Sequence, residues 1–147
     1  MLVHKEPSAE LFREICRARG WRCTAQRRAV FSFLCGNRRH PSVETIWHNV
    51  KESLPDVSLD SVYRILDAFA EAGLVQKLEG GRSIRYDADT KPHDHFLCVK
   101  CGALFDFAFL KAENVAEACR GFGQVEQVEL TVRGVCNDCR QKENQNS

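Results

Sequence analysis

A chain of 147 residues and 16.7 kDa, 44% hydrophobic and 28% charged, has room for one medium domain or two small ones and is neither disordered nor fibrous in composition. Charges break every apolar run, which excludes an ordinary membrane helix, and the first residues lack the apolar stretch and cleavage site of a secretory signal. The net charge of +1 hides a split, with +4 over residues 1–86 and −3 over 87–147, so the front half is the one suited to an anionic partner. Eight cysteines in such a chain point to metal ligation or reduced thiols rather than disulfides, and to a cytoplasmic setting.

The front half predicts four short helices and a hairpin. Ser8 can cap a first helix with Leu11, Phe12 and Ile15 on one face and Gly20 at its end. Thr24 opens a second helix carrying Ala29, Val30, Phe33 and Leu34, stopped by Gly36. Ser42 opens a third with Val43, Ile46, Trp47, Val50 and Leu54 at helical spacing, closed by Pro55. Ser58 caps a fourth that keeps Val62, Ile65, Leu66 and Phe69 on one side until Gly73. Two strand-like runs, residues 74–78 and 82–86, then flank the turn-forming Glu79-Gly80-Gly81.

Helices three and four are separated by little more than Pro55-Asp56-Val57, which suggests a helix-turn-helix with the hairpin as its wing; a plain helical bundle is the competing arrangement. The fourth helix is the candidate reader. Its outer face offers Ser61, Tyr63 and Arg64, where a tyrosine ring can meet a thymine methyl and a guanidinium can donate twice to guanine. Asp60 and Asp67 on the same face oppose phosphate.

Residues 87–92, polar and ending in Pro92, predict a hinge, which sets a DNA-binding domain at 1–86 and a second domain at 93–140. The rear half has strand character at 95–98 and 103–107, a helix at 111–120, a half-buried strand at 124–132, and a tail at 141–147 with nothing to bury. Its strongest signal is Cys98-x-x-Cys101 with Cys136-x-x-Cys139. Each pair turns two thiolates inward from one tight loop, and two loops make a tetrahedral cage for Zn²⁺. The 34 residues between the pairs exceed a short zinc ribbon, so the metal is expected to staple the ends of a domain too small for a self-sufficient core. An iron–sulfur cluster also fits four cysteines. Cys16, Cys23, Cys35 and Cys119 fall in or beside helices and are expected as small apolar residues. His93-Asp94-His95 is a second feature, because imidazoles at i and i+2 share one side of a strand.

The order Gly20-Trp-Arg-Cys-Thr24-Ala-Gln26-Arg27, His40-Pro41, Ser58 to Tyr63-Arg64, His93-Asp94-His95, Cys98-x-x-Cys101-Gly102 and Cys136-x-x-Cys139 resembles the ferric-uptake-regulator (Fur) superfamily over residues 8 to about 140. The resemblance implies an α+β chain: an N-terminal winged helix-turn-helix and a small C-terminal α/β dimerisation domain with a Cys₄ zinc site. It implies a homodimeric, metal-dependent repressor on a palindromic, A·T-rich double-stranded operator, without contact with membranes. Carried onto this sequence, its regulatory metal site falls on His40, Asp87, His93, His95 and Asp106, an all nitrogen and oxygen set suited to Fe²⁺ or Mn²⁺. Arg17, Arg19 and Arg22 are expected to meet phosphate or the minor groove.

Asp106, where iron sensors usually carry Glu, makes the chain resemble the peroxide-sensing PerR branch, with an iron-responsive Fur-type repressor as the alternative. Ala25 replaces the family's usual proline, and Pro92 and Val128 stand where further histidines are found in iron sensors. A third metal site therefore keeps at most Asp94 and Glu113 and is expected to be absent or weak. Two enzyme readings compete: a non-haem metal centre, disfavoured because five protein ligands leave little room for substrate, and a thiol-redox protein working through the CxxC pairs.

Overall fold

In the computed structural model the chain forms two units, Met1–Thr90 and Lys91–Ser147, and the structure describes residues 9–37, 39–79, 82–91, 93–108 and 112–145. The expected cap at Ser8, the Gly80-Gly81 turn, Pro92 and Lys111 lie outside the described residues. Among the described residues no helix is long and apolar enough to cross a membrane.

The first unit holds α1 (Ala9–Arg19), α2 (Ala25–Cys35), α3 (Val43–Ser53), α4 (Leu59–Glu71), β1 (Gln76–Leu78) and β2 (Arg85–Asp87). Its three inner helix starts are capped as their sequences predict. The Thr24, Ser42 and Ser58 side chains accept from the backbone N–H of Arg27, Thr45 and Ser61, satisfying donors that have no partner inside the helix. The apolar faces of all four helices meet in one core, where Phe12, Val30, Leu34, Ile46, Val62, Leu66 and Phe69 are fully buried. Each such side chain contributes about 1.5–3 kcal/mol by leaving water. The turn between α3 and α4 is pinned by Trp47, whose Nε1 donates to the Val57 carbonyl at 3.0 Å.

The wing is an antiparallel pair, Gln76 opposite Asp87 and Leu78 opposite Arg85, shorter than the runs at 74–78 and 82–86. Gly73 closes α4, and Val75 is spent in the core before pairing begins. β2 also reaches back to the link ahead of α3: Ser42 bridges Arg85, and Tyr86 N–H donates to the Pro41 carbonyl at 3.0 Å. Asp87 is therefore the last residue of a strand, and the first unit runs on to Thr90. This corrects a hinge beginning at 87, because pairing with Gln76 and the burial of Tyr86 and Ala88 fix that stretch.

The second unit contains β3 (Asp94–Cys98), β4 (Leu104–Phe107), α5 (Ala112–Cys119), β5 (Thr131–Gly134) and α6 (Asn137–Gln145). The sheet order is β4-β3-β5, with β4 antiparallel and β5 parallel to β3. Alternation divides its two faces: His95 lies opposite Asp106 and Thr131, while Phe96 lies opposite Phe105 and Val132. Two expectations fail here. The stretch 124–130 is not strand, since regular pairing begins only where Thr131 meets β3, and Val125 and Val128 stay half exposed. Residues 141–145 are helical rather than an unstructured tail. Although α6 buries nothing, Gln, Lys and Glu favour helix locally, Asp138 and Lys142 suit its two ends, and Glu143 pairs with Lys100.

Candidate metal centres and DNA-facing residues

The four paired cysteines come together in the second unit. The turn after β3 is closed by Gly102 N–H to the Cys98 carbonyl and Cys98 N–H to the Ala103 carbonyl, both 2.9 Å. Gly102 has φ +74°, a left-handed conformation that a β-carbon penalises, so a glycine follows the CxxC. The second pair spans the last turn before α6 and the helix's own first residues. Cys98 Sγ lies 3.9 Å from Cys139 Sγ, and Cys101 Sγ lies 3.8 Å from Cys136 Sγ. All four sulfurs fall within 4.8 Å of one another. Four sulfurs at a Zn–S distance of about 2.3 Å are spaced by about 3.8 Å, so the cage fits zinc in size as well as in donor type.

Backbone N–H groups of Cys101 and Cys136, and then of Lys100, pull the Cys98 thiol down to about 6. Cys136 N–H points at its sulfur from 3.3 Å. Cys139 goes the other way, pushed up to about 12, first by the Cys136 side chain and then by burial and the remaining thiols.

The histidine and carboxylate residues are organised within each unit. In the first, His40 Nε2 is 3.3 Å from Asp87 Oδ2, and both side chains are buried. His40 has φ +50°, a left-handed backbone that is uncommon for a residue with a β-carbon. Arg85 holds it by donating to its carbonyl at 3.2 Å. Asp87 Oδ1 accepts from Asp89 N–H at 2.8 Å, leaving Oδ2 toward the imidazole. In the second unit Asp106 Oδ1 lies 3.5 Å from His93 Nε2 and 3.4 Å from His95 Nε2. The two rings sit edge to face at 4.5 Å. His93 Nδ1 meets the Lys91 carbonyl at 2.6 Å, so that nitrogen carries the proton and Nε2 keeps a lone pair. Ligand atoms about 2.1 Å from one ion are about 3.0–3.4 Å apart, close to these spacings, so each set fits a metal of nitrogen and oxygen preference.

Sequence reasoning missed the supporting groups: Arg85, the Asp89 N–H and the Lys91 carbonyl, each an ordinary residue whose role depends on where the chain returns. Asp94 Oδ1 accepts from Leu130 N–H at 3.0 Å and ties β3 to the approach of β5.

On the candidate DNA side, Arg64 is exposed on α4 and paired with Asp60 at 2.9 Å. Tyr63 is half-buried against the core, and the Ser61 hydroxyl accepts from Ser58 at 2.8 Å. Arg17, Arg19 and Arg22 are exposed at the end of α1 and just beyond it, away from α4 in sequence. Cys16 and Cys35 are buried as apolar residues, whereas Cys23 is exposed.

The model of the Ferric uptake regulator family matches residues 18–133. The peroxide operon regulator of Bacillus subtilis is 35% identical over 135 residues, covering 89% of this chain and 92% of the relative. The peroxide-responsive repressor PerR of Staphylococcus epidermidis is 30% identical over 131 residues, 87% of each chain. Among solved structures, the Helicobacter pylori ferric uptake regulator Fur, described as having three functional metal binding sites, superposes with a TM-score of 0.78 at 27% identity, covering 89% of this chain and 90% of that one. With a matched stretch that takes in the helix-turn-helix, the wing, the His93 and His95 strand and the first cysteine pair, the chain belongs to the ferric uptake regulator family.

Proposed function

We propose that the chain is a homodimeric, metal-dependent DNA-binding repressor that leaves its operator when peroxide attacks a regulatory iron site. The observation that carries this reading is the set of donors at that site: His93 and His95 converge on Asp106, nitrogen and oxygen only, with aspartate rather than glutamate as the carboxylate. Relatives that bear the name of peroxide regulators support it. His40 and Asp87 from the DNA-binding unit and His93, His95 and Asp106 from the dimerisation unit are the five ligands. Cys98, Cys101, Cys136 and Cys139 hold the structural zinc. The exposed row of Phe105 and Val132 on the opposite face of the sheet suits a second copy of the chain.

The steps follow from the chain's own residues. His40 and Asp87 belong to the winged helix, so metal occupancy is linked to its readiness for DNA, and the linkage is reciprocal. α4 enters the major groove of a palindromic, A·T-rich operator, with Ser61, Tyr63 and Arg64 facing the bases. Arg17, Arg19 and Arg22 neutralise phosphate. Bound Fe²⁺ supplies a reductant for peroxide, which Mn²⁺ on the same donors does not. A His40, His93 or His95 ring that gains oxygen is a poor donor, and the winged helix is released. The protein turns over no substrate and acts as a regulator.

The test compares dimers loaded with zinc and iron, or zinc and manganese, after brief stoichiometric peroxide. The iron form is expected to lose operator binding and gain one oxygen on the peptide of His40 or of His93 and His95, while the manganese form keeps its affinity. Asp106→Glu should blunt the response and spare DNA binding. Repression by the iron form that survives peroxide without histidine oxidation would decide for an iron-responsive repressor.

A further inference from the structure

His40 is the residue most at odds with its local chemistry. It is 3% exposed and holds φ +50°, although it carries a β-carbon and precedes Pro41, a neighbour that pushes a residue toward extended backbone. Backbone of this kind persists where the surroundings hold it in place. Here the holding element is β2, the second strand of the wing. Tyr86 N–H donates to the Pro41 carbonyl at 3.0 Å and Ser42 bridges Arg85, so the chain just after His40 is docked by backbone contacts. The His40 carbonyl is held by a side chain instead: Arg85 Nη1 donates to it at 3.2 Å, across 45 residues of sequence.

That division isolates one group. The bridge to Ser42 and the Tyr86 bond survive a change of side chain at 85, whereas the bond to His40 does not. Asp87 stands two residues further along β2, on the same face of the strand. Its Oδ2 lies 3.3 Å from His40 Nε2, and its other oxygen accepts from Asp89 N–H at 2.8 Å. β2 thus grips His40 twice, at the carbonyl through Arg85 and at the ring through Asp87. A permanent cation so near repels a metal ion, so charge alone gives no reason for an arginine here. Geometry does.

We infer that Arg85 is a positioning residue for the regulatory site: it holds the His40 backbone in its left-handed form and so keeps the imidazole turned toward Asp87 before an ion arrives. The inference rests on the reading of His40 and Asp87 as metal ligands proposed above. Without the guanidinium, residue 40 relaxes toward the extended backbone that Pro41 favours, and the ring leaves Asp87. Binding an ion must then first restore the arrangement, which lowers affinity by the fraction of chains that hold it unaided. Arg85 acts through His40 and is not itself a ligand.

Full-length, zinc-loaded protein is titrated with Mn²⁺ against a chelating dye, and amide hydrogen exchange is followed on the same samples without Mn²⁺. Arg85→Met is expected to bind Mn²⁺ about 10–100-fold more weakly, with Tyr86 N–H still protected. Arg85→Gln, too short to reach the same carbonyl, should fall with it, and Arg85→Lys, which keeps a donor of similar reach, should recover most of the loss. A purely electrostatic role predicts the opposite sign, because removing a cation beside the site favours Mn²⁺. Unchanged or tighter binding by Arg85→Met and Arg85→Gln would therefore overturn the assignment. Tyr86 protection lost in step with affinity would overturn it as well, since Arg85 would then hold the strand rather than His40. Asp87→Asn separates the inference from the reading beneath it. Mn²⁺ affinity untouched by Asp87→Asn would remove the ligand reading and the positioning role together, whereas a weakened Asp87→Asn beside an unaffected Arg85→Met would remove the positioning role alone.

Discussion

At the scale of single residues, Tyr86 has the most unusual burial. Its side chain is fully enclosed, and its hydroxyl has no hydrogen-bond partner among the described residues. An unbonded buried hydroxyl costs about 1–3 kcal/mol, so Tyr86→Phe is expected to stabilise the first unit by about 1 kcal/mol in urea denaturation. Burial, reinforced by Asp67, Tyr63, Glu44 and Glu79, pushes the phenol from 10.0 up to about 12. The unfolded chain thus ionises first. The stabilisation from keeping the phenol neutral is complete below pH 10 and lost as pH rises toward 12. Denaturation across that window should show a steeper alkaline loss in the unmutated protein than in Tyr86→Phe; parallel curves would remove Tyr86 as the cause. Cys35, pushed by burial to about 11, belongs to the same class of protected group and should resist alkylation in the folded chain.

Among the elements, α4 is where sequence and structure agree best and where the DNA reading is most exposed to test. Arg64 shares an ion pair with Asp60 whose two side chains are 80% and 71% exposed. Such a pair is worth about 0.3–0.5 kcal/mol, little to give up for a base edge. Arg64→Ala is expected to weaken operator binding by roughly 1–3 kcal/mol and relax one position, while Arg17→Ala or Arg22→Ala should lower affinity for every sequence and flatten the salt slope. Gel shifts on operator and scrambled duplex separate the two patterns, and unchanged discrimination by Arg64→Ala would remove α4 as the reader. The helices of the first unit were legible because each combines a cap such as Ser42 or Ser58 with local apolar spacing. The cysteine pairs were legible because a CxxC is itself a short loop. The stretch 124–130 was not, since an alternating pattern becomes strand only beside a partner edge. Nor was the meeting of His40 with Asp87, which depends on Tyr86 returning to pair with Pro41 from far along the chain.

On the scale of the whole molecule, the two units are stabilised by different means. The first has a continuous apolar core, whereas in the second the buried apolar residues among those described are Leu97, Cys98 and Cys136, two of them cysteines of the CxxC pairs. Structural zinc contributes on the order of 10 kcal/mol in small metal-dependent folds. Cys98→Ser or Cys136→Ser is therefore expected to unfold the second unit and abolish the dimer while α1 to α4 stay helical. Sedimentation, zinc analysis and circular dichroism check this, and a folded, dimeric, zinc-free Cys98→Ser variant would defeat it. The parallel pairing of β5 with β3 sets a further condition. Cys136 arrives beside Cys98 only after the chain has crossed through α5 and laid Gly134 against Cys98. A chain still emerging from the ribosome thus presents half a cage, and the closure of a long loop must precede tight metal capture. If the four cysteines hold zinc as proposed, metal capture would be the step that completes the second unit, after Cys139 has arrived.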